Sequence, residues 1–369
     1  MAEPQRIRYR KGRMGLLRGT NRVAMLGVVL AAGLVSSCSP AYVLRGAWEE
    51  GKILGRRRPI VQVIADPRST PETRRKLQLV LAAREFGRDA LGERVGESYT
   101  LYSEKQSDTL AHVLSAAYRD RFAAKTWWFP IVGRVPYKGF FQEADARREA
   151  AKLEAEGYDT YMRPTSAFST LGWFNDPVLS TLLRYDDVSL TNTVLHELFH
   201  NTYFAPGKIA FNESLANFVG ARGAIDFFCG RDGADAPNCR RARDEWDDDL
   251  AFGFFLSELV HDLESLYART DLTREQKLQL REEVFARAQR QFAQEVRPRL
   301  KVGGFGSFTR DPLNNATLIS RRIYYDRLDL FERVYRSRGG DLRRTIADIV
   351  AAARANRADP YAGVASLLD

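Results

Sequence analysis

The run Thr193-Val194-Leu195-His196-Glu197-Leu198-Phe199-His200 constrains this chain more than any other segment. Its two histidines stand four residues apart among apolar neighbours. A buried helix satisfies both demands, hiding Val194, Leu195, Leu198 and Phe199 while projecting the two imidazoles from one face. Two imidazoles so placed can reach one cation. Glu197 then stands beside that cation, where a carboxylate can take a proton from water without binding the metal. With only four histidines in 369 residues, chance would give about 0.003 such patterns, so coincidence is a weak competitor. A structural pair of helical histidines is the alternative.

A catalytic zinc takes three protein donors and keeps a position open for water. The two histidines outside the run and its flank, His112 and His261, continue no metal-binding spacing. The candidate third donor is Glu213, in Phe211-Asn212-Glu213-Ser214-Leu215-Ala216-Asn217-Phe218. Asn212-Glu213 before small and apolar residues resembles the second motif of gluzincins, the zincin clan whose third ligand is a glutamate on a following helix. Twelve residues separate His200 from Glu213, a short spacing. Pro206-Gly207 supplies a reversal that would let two antiparallel helices close it. A surface or capping carboxylate is the alternative for Glu213.

The resemblance then widens. Thr165 to Ser180, the HExxH run, Phe211-Asn212-Glu213-Ser214 and Val135-Pro136-Tyr137-Lys138-Gly139-Phe140-Phe141 together look like a bacterial aminopeptidase family whose members are often lipoproteins. That resemblance implies an α+β, zincin-like metallopeptidase with a small mixed N-terminal sheet and a mainly helical C-terminal half. It implies Zn2+ on His196, His200 and Glu213, Glu197 as general base, and a peptide substrate. Related gluzincins add a Tyr or His that hydrogen-bonds the developing oxyanion. By analogy Tyr324 and Tyr325 are candidates here, with Tyr203 and His261 beside them. The Gly-x-Met-Glu-Asn motif of the large gluzincin aminopeptidases is absent, which leaves a zinc endopeptidase open. A non-catalytic envelope lipoprotein retaining the zincin fold is a third reading, against which the intact Glu197 argues. Leu171 to Asp176 could offer an edge strand to a substrate backbone.

Charge first suggests nucleic acid, at +9 overall, but its distribution removes that reading. Residues 1–37 hold Arg6, Arg8, Arg10, Lys11, Arg13, Arg18 and Arg22 against Glu3, so the remainder is near balance. The basic stretch runs into an apolar block, Val23 to Val35, too short for a comfortable permanent span, as in a secretory signal. The block ends in Val35-Ser36-Ser37-Cys38, which resembles the bacterial lipobox. That resemblance implies a signal peptide over 1–37, a lipidated Cys38 as membrane anchor, and export to the cell envelope. Ser39 after the cysteine favours the periplasmic face of the outer membrane over the inner membrane. An ordinary apolar helix with an incidental cysteine is the alternative. Cys229 and Cys239 flank a polar loop, and in an oxidising compartment they are expected to pair as a disulfide. A thiolate metal site lacks any CxxC or neighbouring histidine to support it.

Residues 38–60 then read as a tether and first helix, around Tyr42 to Leu54, and 61–369 as the metallopeptidase domain. Helical patterning predicts helices over Pro71 to Phe86, Glu143 to Glu156, Asp244 to Tyr267, Thr273 to Val296 and Leu318 to Arg336. Short strands are expected within Tyr99 to Tyr102, Thr109 to Ala116, Phe129 to Val135 and Tyr158 to Met162.

Overall fold

A computed structural model describes residues 55, 57–104, 111–129, 133–165 and 177–369. The leader, Cys38, the helix expected around Tyr42 to Leu54 and the Leu171 to Asp176 segment lie outside the described residues. The chain divides into units 1–45 and 46–369, and every described residue belongs to the second.

The N-terminal half runs β1 (Arg58–Pro59), α1 (Ile60–Ala65), α2 (Pro71–Phe86), β2 (Leu101–Ser103), β3 (Ala111–Tyr118), β4 (Trp127–Phe129), β5 (Gly133–Val135), β6 (Tyr137–Phe140), α3 (Glu143–Ala155), β7 (Tyr158–Thr165) and β8 (Val178–Leu179). The rest is helical: α4 (Asp187–Phe199), α5 (Ile209–Asp232), α6 (Pro237–Ala268), α7 (Arg274–Gln291), α8 (Ser307–Arg310), α9 (Asn315–Tyr325), α10 (Leu328–Ser337), α11 (Leu342–Ala355) and α12 (Pro360–Ala365). Within the segment expected as tether and first helix, Arg58 and Pro59 pair with Tyr102 and Leu101, and Ile60 is fully buried.

The sheet that matters for the site has the order β6-β3-β7, antiparallel throughout. Its register pairs Ser115 with both Tyr137 and Tyr161, and Val113 with both Gly139 and Arg163. Paired residues share a face and next-but-one residues return to it, so Tyr137, Arg163 and Asp159 project from one side. That side packs α9, whose Asn315 amide donates to Asp159 at 3.1 Å. The opposite side packs α3, with Lys138 lying 3.6 Å from Glu149.

The HExxH run ends α4 as its pattern requires. Val194, Leu195 and Leu198 are fully buried, and Phe199 is 1% exposed. Each such side chain contributes roughly 1.5–3 kcal/mol on burial. Asp186 caps the helix, accepting from the amides of Val188 and Ser189 at 3.0 Å each. Asp187 ties the first turn to α2 through Arg75 at 2.6 Å and Lys76 at 2.8 Å. The two ends of α4 are therefore fixed independently, one by charge and the other by apolar packing.

Cys229 near the end of α5 and Cys239 in the first turn of α6 form a disulfide. It staples two long helices across their turn, and closing so short a loop contributes about 2–3 kcal/mol in the chain-entropy account. The helix expected over Leu318 to Arg336 is two helices. Arg327 takes a left-handed conformation, φ 51°, between α9 and α10 and turns the chain. Helix propensity does not register such a break, because no glycine or proline marks it.

Candidate metal centre

The C-terminal end of α4, with its cap His200, and the second turn of α5 meet at three donor groups. His196 Nε2 lies 3.3 Å from Glu213 Oε2, and His200 Nε2 lies 3.8 Å from Glu213 Oε1. The ligand atoms of the three residues all fall within 4.8 Å of one another. Donors about 2.1 Å from a tetrahedral zinc stand roughly 3.4 Å apart, so the spacing suits that ion. The state of His200 points the same way. Its Nδ1 has no hydrogen-bond partner among the described residues, and its Nε2 is too far from the carboxylate for a hydrogen bond. A buried nitrogen without a partner is costly, and Nε2, which no hydrogen bond to Glu213 occupies, is left to meet a cation.

Electrostatics prepares the donors. Burial pushes His200 down to about 4, leaving a neutral ring with a free lone pair at neutral pH. Burial opposes the charge on His196 too, but the hydrogen bond to Glu213 and the charges of Glu197 and Glu213 outweigh it and raise its pKa. Glu213 is held below the usual carboxylate range: burial opposes ionisation, and His200, His196 and Arg163 overcome it.

The short spacing to Glu213 is closed by Asn212. Its side chain accepts from the Ala205 amide at 2.8 Å and donates to the Ala205 carbonyl at 2.9 Å, locking the turn onto the start of α5. Glycine then lets α5 lie against α4. A Cβ on Gly220 would sit 2.7 Å from the Asn192 carbonyl oxygen and 3.2 Å from His196 Cβ. Gly220→Ala is expected to cost about 1–3 kcal/mol by forcing the helices apart, and to weaken metal retention with it. Urea unfolding and a metal-competition titration measure the two; wild-type values in both would show that this approach does not hold the donors.

Of the candidate oxyanion partners, the structure brings one to the cluster. The Tyr324 ring lies 6.3 Å from the His196 ring, and Arg163 Nη2 donates to its hydroxyl at 3.1 Å. Tyr325 packs instead on Phe252 and Phe305, at 5.1 and 5.8 Å. Tyr203 packs on Phe211, and His261 is exposed on α6.

A family model described as "Putative aminopeptidase" matches residues 41–360. The chain belongs to that family. No curated protein and no solved structure matches it.

Two further residues of this aminopeptidase-family chain bear on the cluster, Arg163 outside any motif and Tyr137 with no role marked for it by the sequence. Tyr137 and Arg163 project from the α9 side of the sheet, and the Tyr137 hydroxyl is raised by burial first, then by the charge of Glu213. Val135 to Phe141 belongs to the resemblance, but only the strand register shows which of its side chains face the site. A separate cavity of about 540 Å³ shares Asn192 and Asn217 with α4 and α5 and is lined by Glu245, Asp249 and Tyr325; none of the three donor residues lines it.

Proposed function

We propose that the chain is a zinc-dependent peptidase that removes N-terminal residues from peptides, exported and anchored by a lipid on Cys38. The observation that carries the chemistry is the spacing of His196, His200 and Glu213 donor atoms beside Glu197. A zinc ion on those donors would acidify a bound water and polarise the scissile carbonyl.

The chain's own residues supply the rest. Glu197 follows His196 in the helix, and its charge acts on His196, Tyr137 and Tyr324, which supports its role as the base. It takes the proton of the attacking water and returns it to the leaving amine. Burial, followed by the charge of Glu213, holds the Tyr324 phenol protonated well above its ordinary range. Its oxygen accepts from Arg163, which leaves its own proton to donate to the oxyanion. The lipobox-like Val35-Ser36-Ser37-Cys38 supports export and anchoring, and the Cys229–Cys239 disulfide suits an oxidising compartment.

The test is metal content alongside hydrolysis of a peptide library, each peptide with a free or an acetylated N-terminus. One zinc per chain is expected, with cleavage lost to a chelator, restored by zinc, and confined to free N-termini. Cleavage that survives chelation would remove zinc from the mechanism. Equal cleavage of acetylated peptides would make the enzyme an endopeptidase.

A further inference from the structure

Arg163 is set beside the cluster with a guanidinium that no carboxylate claims among the described residues. Two other arginines drawn into the fold are neutralised: Arg281 takes both Asp159 oxygens at 2.8 and 3.1 Å, and Arg222 takes Glu332 at 2.9 Å. Arg163 instead donates one bond, from Nη2 to the Tyr324 hydroxyl. A guanidinium carries five N–H donors in a planar fork that matches a carboxylate. Glu213 feels its charge, as do Tyr137 and Tyr324. Glu213 and Glu197 are already committed, one as donor and one as base.

Register fixes this placement. Arg163 pairs with Val113 on the central strand, on the same face as Tyr137 and opposite the α3 side. On the α3 side Lys138 lies 3.6 Å from Glu149. One positive side chain is thus matched internally, while the other is presented to the site.

We propose that Arg163 binds a carboxylate of the substrate, so that the enzyme favours peptides carrying one next to the scissile bond. This rests on the peptidase reading above. A dipeptide satisfies both: its first peptide bond is also its last, and its C-terminal carboxylate lies within one residue of the cut. An acidic side chain following the cut presents the same chemistry in a longer peptide. A bidentate, charge-assisted contact of this kind is worth about 10- to 100-fold in affinity.

The test compares zinc-loaded wild type and Arg163→Ala on Ala-Ala, Ala-Ala-amide and Ala-Glu-amide. Wild type should prefer Ala-Ala to its amide by at least about tenfold, chiefly through KM. The ratio should collapse in Arg163→Ala and recover in part in Arg163→Lys. Ala-Glu-amide tells the sources apart: cleavage at the level of Ala-Ala admits side-chain carboxylates, and cleavage at the level of Ala-Ala-amide assigns the terminal one. Calorimetry on zinc-loaded Glu197→Gln supplies a readout without turnover, in which Ala-Ala should bind more tightly than its amide. No preference in wild type, or a proportional loss on all three substrates in Arg163→Ala, would overturn the proposal and leave Arg163 a positioning residue for Tyr324. Should Arg163→Ala not fold, the acid-to-amide ratio of wild type still decides. Absence of any cleavage by wild type counts against the peptidase reading, while the calorimetric preference stands or falls by itself.

Discussion

Glu197→Gln should lower kcat by about 10²- to 10⁴-fold while leaving zinc stoichiometry at the wild-type value. The substitution keeps the shape of the side chain and removes its ability to hold a proton. Zinc should stay because the donor cluster is His196, His200 and Glu213. The helix should stay because Leu198 and Phe199, beside the substituted residue, remain buried against the core. Activity and metal content measured on one preparation check both halves. Activity within threefold of wild type would place the base elsewhere, and loss of zinc would make Glu197 a ligand.

Glu213→Gln should have its largest effect on the metal. An amide oxygen is a weaker donor than a carboxylate, and the neutral side chain no longer offsets the charge of a divalent ion. Altering a residue that merely supports a ligand costs about 10- to 100-fold in metal affinity, so loss of a charged ligand should cost at least about 100-fold. Competition with a chromophoric chelator gives the dissociation constant. Folding should be kept, because Asn212 makes the contacts that fix the turn and Glu213 does not. A dissociation constant unchanged from wild type would return Glu213 to the reading of a capping carboxylate. The two variants separate the roles: one keeps the ion and loses turnover, the other loses the ion first.

Much of the helical architecture could be read from the sequence, since α2 spans the expected Pro71 to Phe86 and α3 ends one residue short of the expected Glu156. Their apolar periodicity and N-terminal signals are local properties. Strand positions are legible only roughly. β3 extends two residues past the expected Ala116, and the Phe129 to Val135 region resolves into β4 and β5, paired antiparallel. Strand ends are set by partners distant in sequence. The break at Arg327 is not legible in the sequence because its left-handed turn is carried by an ordinary residue. Tyr324 and Tyr325 could not be ranked from sequence, as neighbours on a helix point about 100° apart and both are aromatic. The fold sends one toward His196 and the other into the Phe252 cluster.

The sequence by itself determined that His196 and His200 share a face with Glu197 beside them, because a spacing of four on a helix is a local geometric fact. It also marked Asn212-Glu213 and the cysteine pair as candidates. Only the tertiary structure decided that Glu213 reaches the histidines across twelve residues, through the grip of Asn212 on Ala205 and the close approach at Gly220. It alone set Arg163 and Tyr137 on one face beside Tyr324, since strand register is fixed by pairing between segments. Periodicity within an element is written in the chain, whereas distances between elements exist only once they pack.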